Sequence, residues 1–572
     1  MAEGPRRRLR LVSMVLTAVL LVIVAQLTQV QIINHGYYAG WAEEQYKRPI
    51  VIVEPPRGVI RDRNGYLLAG NSVMYSISAD TRYVDDVRET AEKLGELLHM
   101  PAAEIERKLS GDDLWPVIDS AVSKETGESV AAEHLQGIIV RSQWVREYPE
   151  GQLASHILGF CNAENWCPYG VEGFYDSVLL PEEIEPEGQL NVVSPSDPWT
   201  GSPVVFPARG TELVLTIDRT IQMLVEEELT RSVEEYKAEG GTIIVMDPRT
   251  FEILALASLP SYDPGKYFDF ADLSPIPFQD PAVSNHYEPG SIFKILTVAA
   301  ALDSGMVTPD TTYYDRGEIE VGGRVIKNAS REAYGERTVS DILIKSLNVG
   351  TAWLSTQMGS DTFYRYVRGF GIGQLTGIDL AGEIPGQLWL PGDFENWHDA
   401  DLGTNSFGQG LATTPIQMAS AVATVANGGV RLRPHVVARR IAADGSVVEA
   451  QPVVEAQPIS PNTAYQLSEM MVRVVEEGTT EAGVEGYRVA GKSGTAQIPI
   501  PGGYDKQKTI ASFVGFGPVP NPQFVILIKL DRPETSTWAV DTAAPAFSRL
   551  ASQLFVILNI PPEGVGVAEA SR

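Results

Sequence analysis

The 572-residue chain reads as a membrane-anchored α+β protein. Three observations predict that class. A charge-free apolar run near the start is long enough to cross a bilayer. A stretch rich in Pro, Gly, Ser and Glu, without periodicity, interrupts the chain at residues 181–209. Beyond it, strand-like segments bracket a helix-rich middle, the pattern of an antiparallel sheet with helices packed on it. The formal charge of −28 argues against a nucleic-acid partner, which would need clustered Lys and Arg.

Taken in order, Arg6, Arg7, Arg8 and Arg10 precede the apolar residues 11–33. At about 1.5 Å per residue that run spans the roughly 30 Å hydrocarbon layer. The next basic residue is Lys47, so the positive-inside rule puts residues 1–10 in the cytoplasm and the chain after 33 outside. The run is long for a signal-peptide core and no convincing A-x-A site follows, which favours an uncleaved single-span anchor. Residues 57–65, "RGVIRDRNG", predict a hairpin turning at Asn64-Gly65. Residues 86–136 read as largely helical, with Ala91, Leu94, Leu97 and Leu98 on one face. The two cysteines, Cys161 and Cys167, fit either a local disulfide in an exported chain or two independent small side chains. Nothing around them suggests a nucleophile or a metal ligand.

After the boundary, "TELVLTIDRTIQMLVEEELTRSV" reads as a strand and a helix, and "GTIIVMDPRTFEILALAS" as two strands joined at 247–250. Three more strands are predicted in "VAGKSGTAQIPI", "TIASFVGFGPV" and "QFVILIKLDRP". An amphipathic helix at 543–558 and a short polar tail from 561 follow.

One helix is chemically unusual. It opens after Pro289-Gly290 and is almost wholly apolar from Ile292 to Leu302, yet its first turn carries Ser291 and Lys294. At i and i+3 the two share one face. A serine hydroxyl becomes a good nucleophile only when a neighbour takes its proton. A lysine can do so only as the neutral amine, which burial or a nearby cation favours. Ser-x-x-Lys is common by chance, and Lys294 could equally be a snorkelling residue. Two further stretches strengthen the catalytic reading. Ser346 and Asn348 lie between apolar helical runs, and Lys492-Ser493-Gly494-Thr495 lies inside a predicted strand, where glycine implies a close approach. Ser-x-x-Lys, Ser-x-Asn and Lys-Ser-Gly in this order form the set of serine acyl-transferases that react with penicillin.

With these motifs the chain resembles the class B penicillin-binding proteins, monofunctional peptidoglycan D,D-transpeptidases, over nearly its whole length. "RGVIRDRNG", "ASHILGF" and "GVEGFYD" resemble the family's N-terminal pedestal (its dimerisation domain). "EPGSIFK", "GQGLATTPIQMA" and "ASFVGFGP" resemble its transpeptidase domain. The departure is Ser493, where many members carry Thr; the hydroxyl is kept. The resemblance implies a pedestal over 34–205, a transpeptidase domain over 206–560 and a tail over 561–572. It implies that Ser291 attacks the D-Ala-D-Ala carbonyl of a stem peptide, with Lys294 as general base and Ser346 relaying a proton to the leaving amine. Asn348 would hold the substrate backbone. Lys492 would keep Lys294 neutral and attract the substrate carboxylate, which Ser493 and Thr495 would bond. The N–H groups of Ser291 and Thr495 would form the oxyanion hole, and Gly494 would clear the strand edge for substrate. No cofactor is expected, and the seven scattered histidines offer no metal-ligand spacing. β-Lactams are the expected inhibitors and a SEDS-family glycosyltransferase the expected partner. The C-terminal motifs resemble division-type members more than elongation-type ones. A serine β-lactamase or D,D-carboxypeptidase, and a non-catalytic scaffold or β-lactam sensor, are the alternatives.

Overall fold

The computed structural model describes residues 4–35, 51–52, 56–162, 165–181, 204–205, 209–270 and 277–562. Most of the expected linker at 181–209 and the tail beyond 562 lie outside the described residues. Chain contacts form two units, one of residues 1–55 with 182–208 and one of residues 56–181 with 209–572. The first contains the helix Gly4–Thr28, continued by a π turn at Gln29–Ile33, and a two-residue parallel pairing of Val51–Ile52 with Val204–Val205. None of Leu11–Thr28 is buried, and the helix is long and apolar enough to cross a membrane.

In the second unit, the strand Leu67–Ala79 pairs antiparallel with Ile138–Glu147, and near its end with Val117–Val122. The stretch expected to be largely helical holds three helices, Val87–Leu98, Ala102–Leu109 and Lys124–Ala132, with the strand Val117–Val122 set between them. The strand arises there because Ile118 and Val122 are drawn into the same core as Ile77, Leu94 and Ile105. That demand is tertiary and overrides local pattern.

The hairpin at Asn64-Gly65 is also a joint. Ile60–Arg61 pairs antiparallel with the start of Leu67–Ala79 and parallel with Glu212–Leu215, which pairs in turn with Val437–Ile441. Residues before and after the 181–209 boundary therefore share one sheet, and the "TELVL" strand belongs to it. Gly58 permits the approach, because a Cβ there would lie 1.9 Å from the Thr211 carbonyl oxygen. Buried Asp62 accepts the N–H groups of Asn64 and Tyr66, both at 2.8 Å, and that of Arg219 at 3.1 Å. Arg57 donates to Glu172 Oε2 at 2.7 Å and to Asp176 at 2.6 Å, while Arg146 donates to Glu172 Oε1 at 2.6 Å. Beside this ionic cluster Cys161 and Cys167 are joined as a disulfide.

The remaining sheet has five antiparallel strands: β1 (Gly240–Met246), β2 (Ile253–Leu259), β3 (Ala490–Ile500), β4 (Gly503–Gly517) and β5 (Phe524–Asp531), in the order β3-β4-β5-β1-β2. Both faces are covered. Ile243, Val245, Phe513 and Ile526 meet helices Arg219–Tyr236 and Ala543–Ile557 on one side. Ile244, Met246, Val514 and Leu527 meet Lys294–Asp303 and Pro415–Ala426 on the other. Two buried faces explain why these strands read as unbroken apolar runs instead of alternating ones.

Candidate active site

Gly290–Phe293 is a 3₁₀ turn that passes into the α-helix Lys294–Asp303. With about three residues per turn, a 3₁₀ segment eclipses positions i and i+3, so Ser291 stands over Lys294 more directly than in an α-helix. Gly290 has φ +60°, and its N–H donates to the Gly408 carbonyl at 3.0 Å. Gly408 is equally constrained, since a Cβ on it would lie 2.4 Å from the Gly290 oxygen. Tyr287 and Thr413 exchange backbone bonds at 2.9 and 2.8 Å, so residues 408–413 run as a backbone clamp beside the serine turn. The "GQGLATT" stretch was legible as a motif, but its role emerges only from this pairing.

Lys294 has no exposed surface. Its Nζ donates to the Ser346 carbonyl at 2.6 Å and to Ser346 Oγ at 3.2 Å. Ser346 sits between helices Val339–Ile344 and Asn348–Met358 with φ +54°. Holding a serine in that region costs about 1–3 kcal/mol and turns both of its oxygens toward the lysine. Burial, and then the charge of Lys492, hold the Lys294 amine well below the ordinary lysine range. Lys492 is 1% exposed and donates to the Ser493 carbonyl at 2.9 Å. Burial alone pushes its amine down to about 7. Since only Lys294 also feels the other's charge, Lys294 is the first of the pair to give up its proton.

Asn348 opens its helix, and its amide Nδ2 donates to the Lys327 carbonyl at 3.0 Å. The side-chain oxygen is therefore the atom suited to accept an N–H from a bound peptide. β3 is the edge strand of the sheet, and along it Lys492, Gly494 and Ala496 are buried while Ser493 and Thr495 are half-buried. Thr495 Oγ1 accepts the N–H of Ala539 at 3.1 Å, which ties the segment after β5 to the site. Its hydroxyl hydrogen can still be donated.

Gly494 is needed for a reason that sequence reasoning did not supply. A Cβ there would meet Ser512 Oγ at 2.8 Å, Ile292 at 3.0 Å and the Pro289 carbonyl at 3.0 Å. The glycine lets β3 lie against the serine turn, quite apart from any substrate. Gly494→Ala is expected to slow acylation by a chromogenic cephalosporin on the order of 10-fold, since about 1 Å of misplacement costs about 10² in rate. Stopped-flow absorbance measures the change.

The structure thus gathers Ser291, Lys294, Ser346, Asn348, Lys492, Ser493, Gly494 and Thr495 at one end of the sheet. Sequence reasoning missed Glu288, whose Oε1 accepts the Gly410 N–H at 3.0 Å and the Tyr504 hydroxyl at 3.1 Å. Its only sequence signal was its place before the Pro-Gly that opens the helix.

Residues 241–552 match the family model described as the penicillin binding protein transpeptidase domain, and residues 52–166 the one described as the penicillin-binding protein dimerisation domain. The chain is 32% identical to stage V sporulation protein D of Bacillus subtilis, over 97% of this chain and 86% of that protein. It is 29% identical to peptidoglycan D,D-transpeptidase FtsI of Escherichia coli, over 91% of this chain and 87% of the relative. The crystal structure of penicillin-binding protein 3 from Mycobacterium tuberculosis complexed with aztreonam superposes with a TM-score of 0.70 at 27% identity, covering 89% of this chain and 97% of that one. A serine and a buried lysine stacked on one turn, beside a Lys-Ser-Gly edge strand, are thus set in the two domains of a known architecture, and the chain belongs to the class B penicillin-binding proteins.

Proposed function

We propose that the protein is a membrane-anchored peptidoglycan D,D-transpeptidase that works through an acyl intermediate on Ser291. The observation that carries this reading is the Ser291–Lys294 stack, with the lysine amine buried, held neutral and bonded to Ser346. Lys294 takes the Ser291 proton as Oγ attacks the carbonyl between the two terminal D-Ala residues of a stem peptide. The N–H groups of Ser291 and Thr495 receive the oxyanion, each worth about 10²–10³ in rate. Ser346 passes the proton on to the leaving D-Ala amine. Lys492, Ser493 and Thr495 hold the substrate carboxylate, and the Asn348 oxygen holds its backbone. The amine of a neighbouring stem peptide then takes the acyl group, forming the cross-link, whereas a β-lactam leaves Ser291 acylated.

The assignment extends to the whole chain: a cytoplasmic tail at 1–10, an anchor at 11–33, a pedestal at 34–205 and the catalytic domain at 206–560 outside the membrane, with a tail from 561. The likeness to division-type relatives supports a septal role, with a SEDS-family glycosyltransferase as partner through the anchor and pedestal. Intact-mass spectrometry of the full chain in detergent tests the chemistry. One benzylpenicillin adduct per chain is expected on the wild type and none on Ser291→Ala. Turnover of penicillin without a lasting adduct would favour the hydrolase reading, and no reaction in a folded protein would remove Ser291 as nucleophile.

A further inference from the structure

The acyl-transfer reading leaves one reactant without a binding site. The acceptor amine arrives as an ammonium ion near neutral pH, with an ordinary pKa of about 10.4 for a lysine-like amine. It cannot attack until it loses a proton. Lys294 is already committed to the Ser291 proton and Lys492 to the donor carboxylate, so this proton needs a different base.

Three residues before Ser291, Glu288 is 9% exposed, and its Oε2 is buried with no hydrogen-bond partner. Thr404 Oγ1 and Asn405 Oδ1 are buried without partners as well, each in a residue 2% exposed. These groups converge on Gly410, whose N–H bonds Glu288. A Cβ on Gly410 would lie 3.3 Å from Thr404 Oγ1, 3.7 Å from Asp401 Oδ1 and 3.8 Å from Asn405 Nδ2. Unpartnered oxygens of a carboxylate, an amide and a hydroxyl, with a second carboxylate beside them, call for a cationic group rich in N–H donors.

We propose that Glu288, resting on the acyl-transfer reading above, binds the ammonium group of the acceptor stem peptide and removes its first proton beside acyl-Ser291. The ammonium N–H passes its proton to Glu288 Oε2, leaving a neutral amine. The amine nitrogen attacks the acyl carbonyl, the carbon–nitrogen bond forms and the carbon–Oγ bond breaks. The second amine proton moves through Lys294 to Ser291 Oγ, which restores the serine, and Glu288 returns its proton to solvent. Burial raises the Glu288 carboxyl above the ordinary range and so strengthens it as a base. The Gly410 and Tyr504 bonds and the Arg324 charge pull the other way.

The test uses the full chain in detergent, a synthetic acyl-D-Ala thioester as donor and free D-alanine as acceptor. Its readout is the ratio of aminolysis to hydrolysis from one acyl-enzyme. Glu288→Gln keeps the acceptor oxygen for Gly410 and Tyr504, and is expected to lower the ratio by about 10²-fold, the usual lower size of a general-base contribution. Tyr504→Phe, which removes only the hydroxyl bonded to Glu288, is expected to leave the ratio near the wild-type value. An unchanged ratio in Glu288→Gln, or an equal fall in both variants, would overturn the proposal and make Glu288 a clasp for the β3–β4 hairpin. Failure of wild-type protein to form any acyl-enzyme would instead sink the underlying acyl-transfer reading.

Discussion

Lys294→Met is expected to slow acylation of Ser291 by about 10²–10⁴, the usual size of a general-base contribution. A lysine at the ordinary pKa of about 10.4 would be neutral in roughly one molecule in a few thousand at pH 7. Burial, reinforced by Lys492, removes that handicap. The sign of the pH dependence follows. Protonated Lys294 cannot accept the serine proton, so acylation falls as pH falls through its depressed pKa and holds level above it, while Lys492 keeps its charge. Lys492→Met deletes the second cause of the depression and is expected to move this inflection upward. Penicillin acylation rates measured across pH in the wild type and both variants check the assignment. An inflection that survives in Lys294→Met would belong to another group. Methionine fills the lysine's volume, but it leaves the Ser346 oxygens without their donor, at about 1–3 kcal/mol. Each variant therefore needs its unfolding curve measured beside its kinetics.

Glu172→Gln is expected to destabilise the second unit by about 3–5 kcal/mol, the cost of leaving buried charge uncompensated. Glu172 is fully buried and is the shared anion of Arg57 and Arg146, both nearly buried themselves. Asp176, the other carboxylate on Arg57, is 42% exposed and cannot replace it. Removing an isolated surface pair would cost about 0–1 kcal/mol. Urea unfolding of the full chain in detergent distinguishes these magnitudes. The cluster lies among residues well before Ser291 in the chain, so the variant is expected to lose stability and to keep its penicillin adduct under native conditions. A loss below about 1 kcal/mol would mean that Arg57 and Arg146 find other partners or water.

What could be read from the chain alone followed short-range rules. The anchor is a matter of length and charge absence. The Ser291–Lys294 pair is visible because helical period puts i and i+3 on one face, and the strands of the five-stranded sheet are visible as bounded apolar runs. Gly494 stood out because glycine is unfavourable inside a strand. Each of these depends on residues within one turn or one strand of each other.

What needed the tertiary structure depends on partners far apart in sequence. Lys294 and Ser346 are 52 residues apart, and only the fold turns the Ser346 oxygens to the amine and seals both from water. The strand Val117–Val122 exists because a distant core claims Ile118 and Val122, and Glu212–Leu215 pairs with residues on either side of an apparent boundary. Glu288 looked like an ordinary acidic residue before Pro-Gly, because nothing local reveals that Gly410 and Tyr504 would bury it. The sequence by itself determined which groups carry the chemistry. The folded chain decided their protonation, their partners and their distances, because burial and long-range contact set the energy of a charge and neither is a local property.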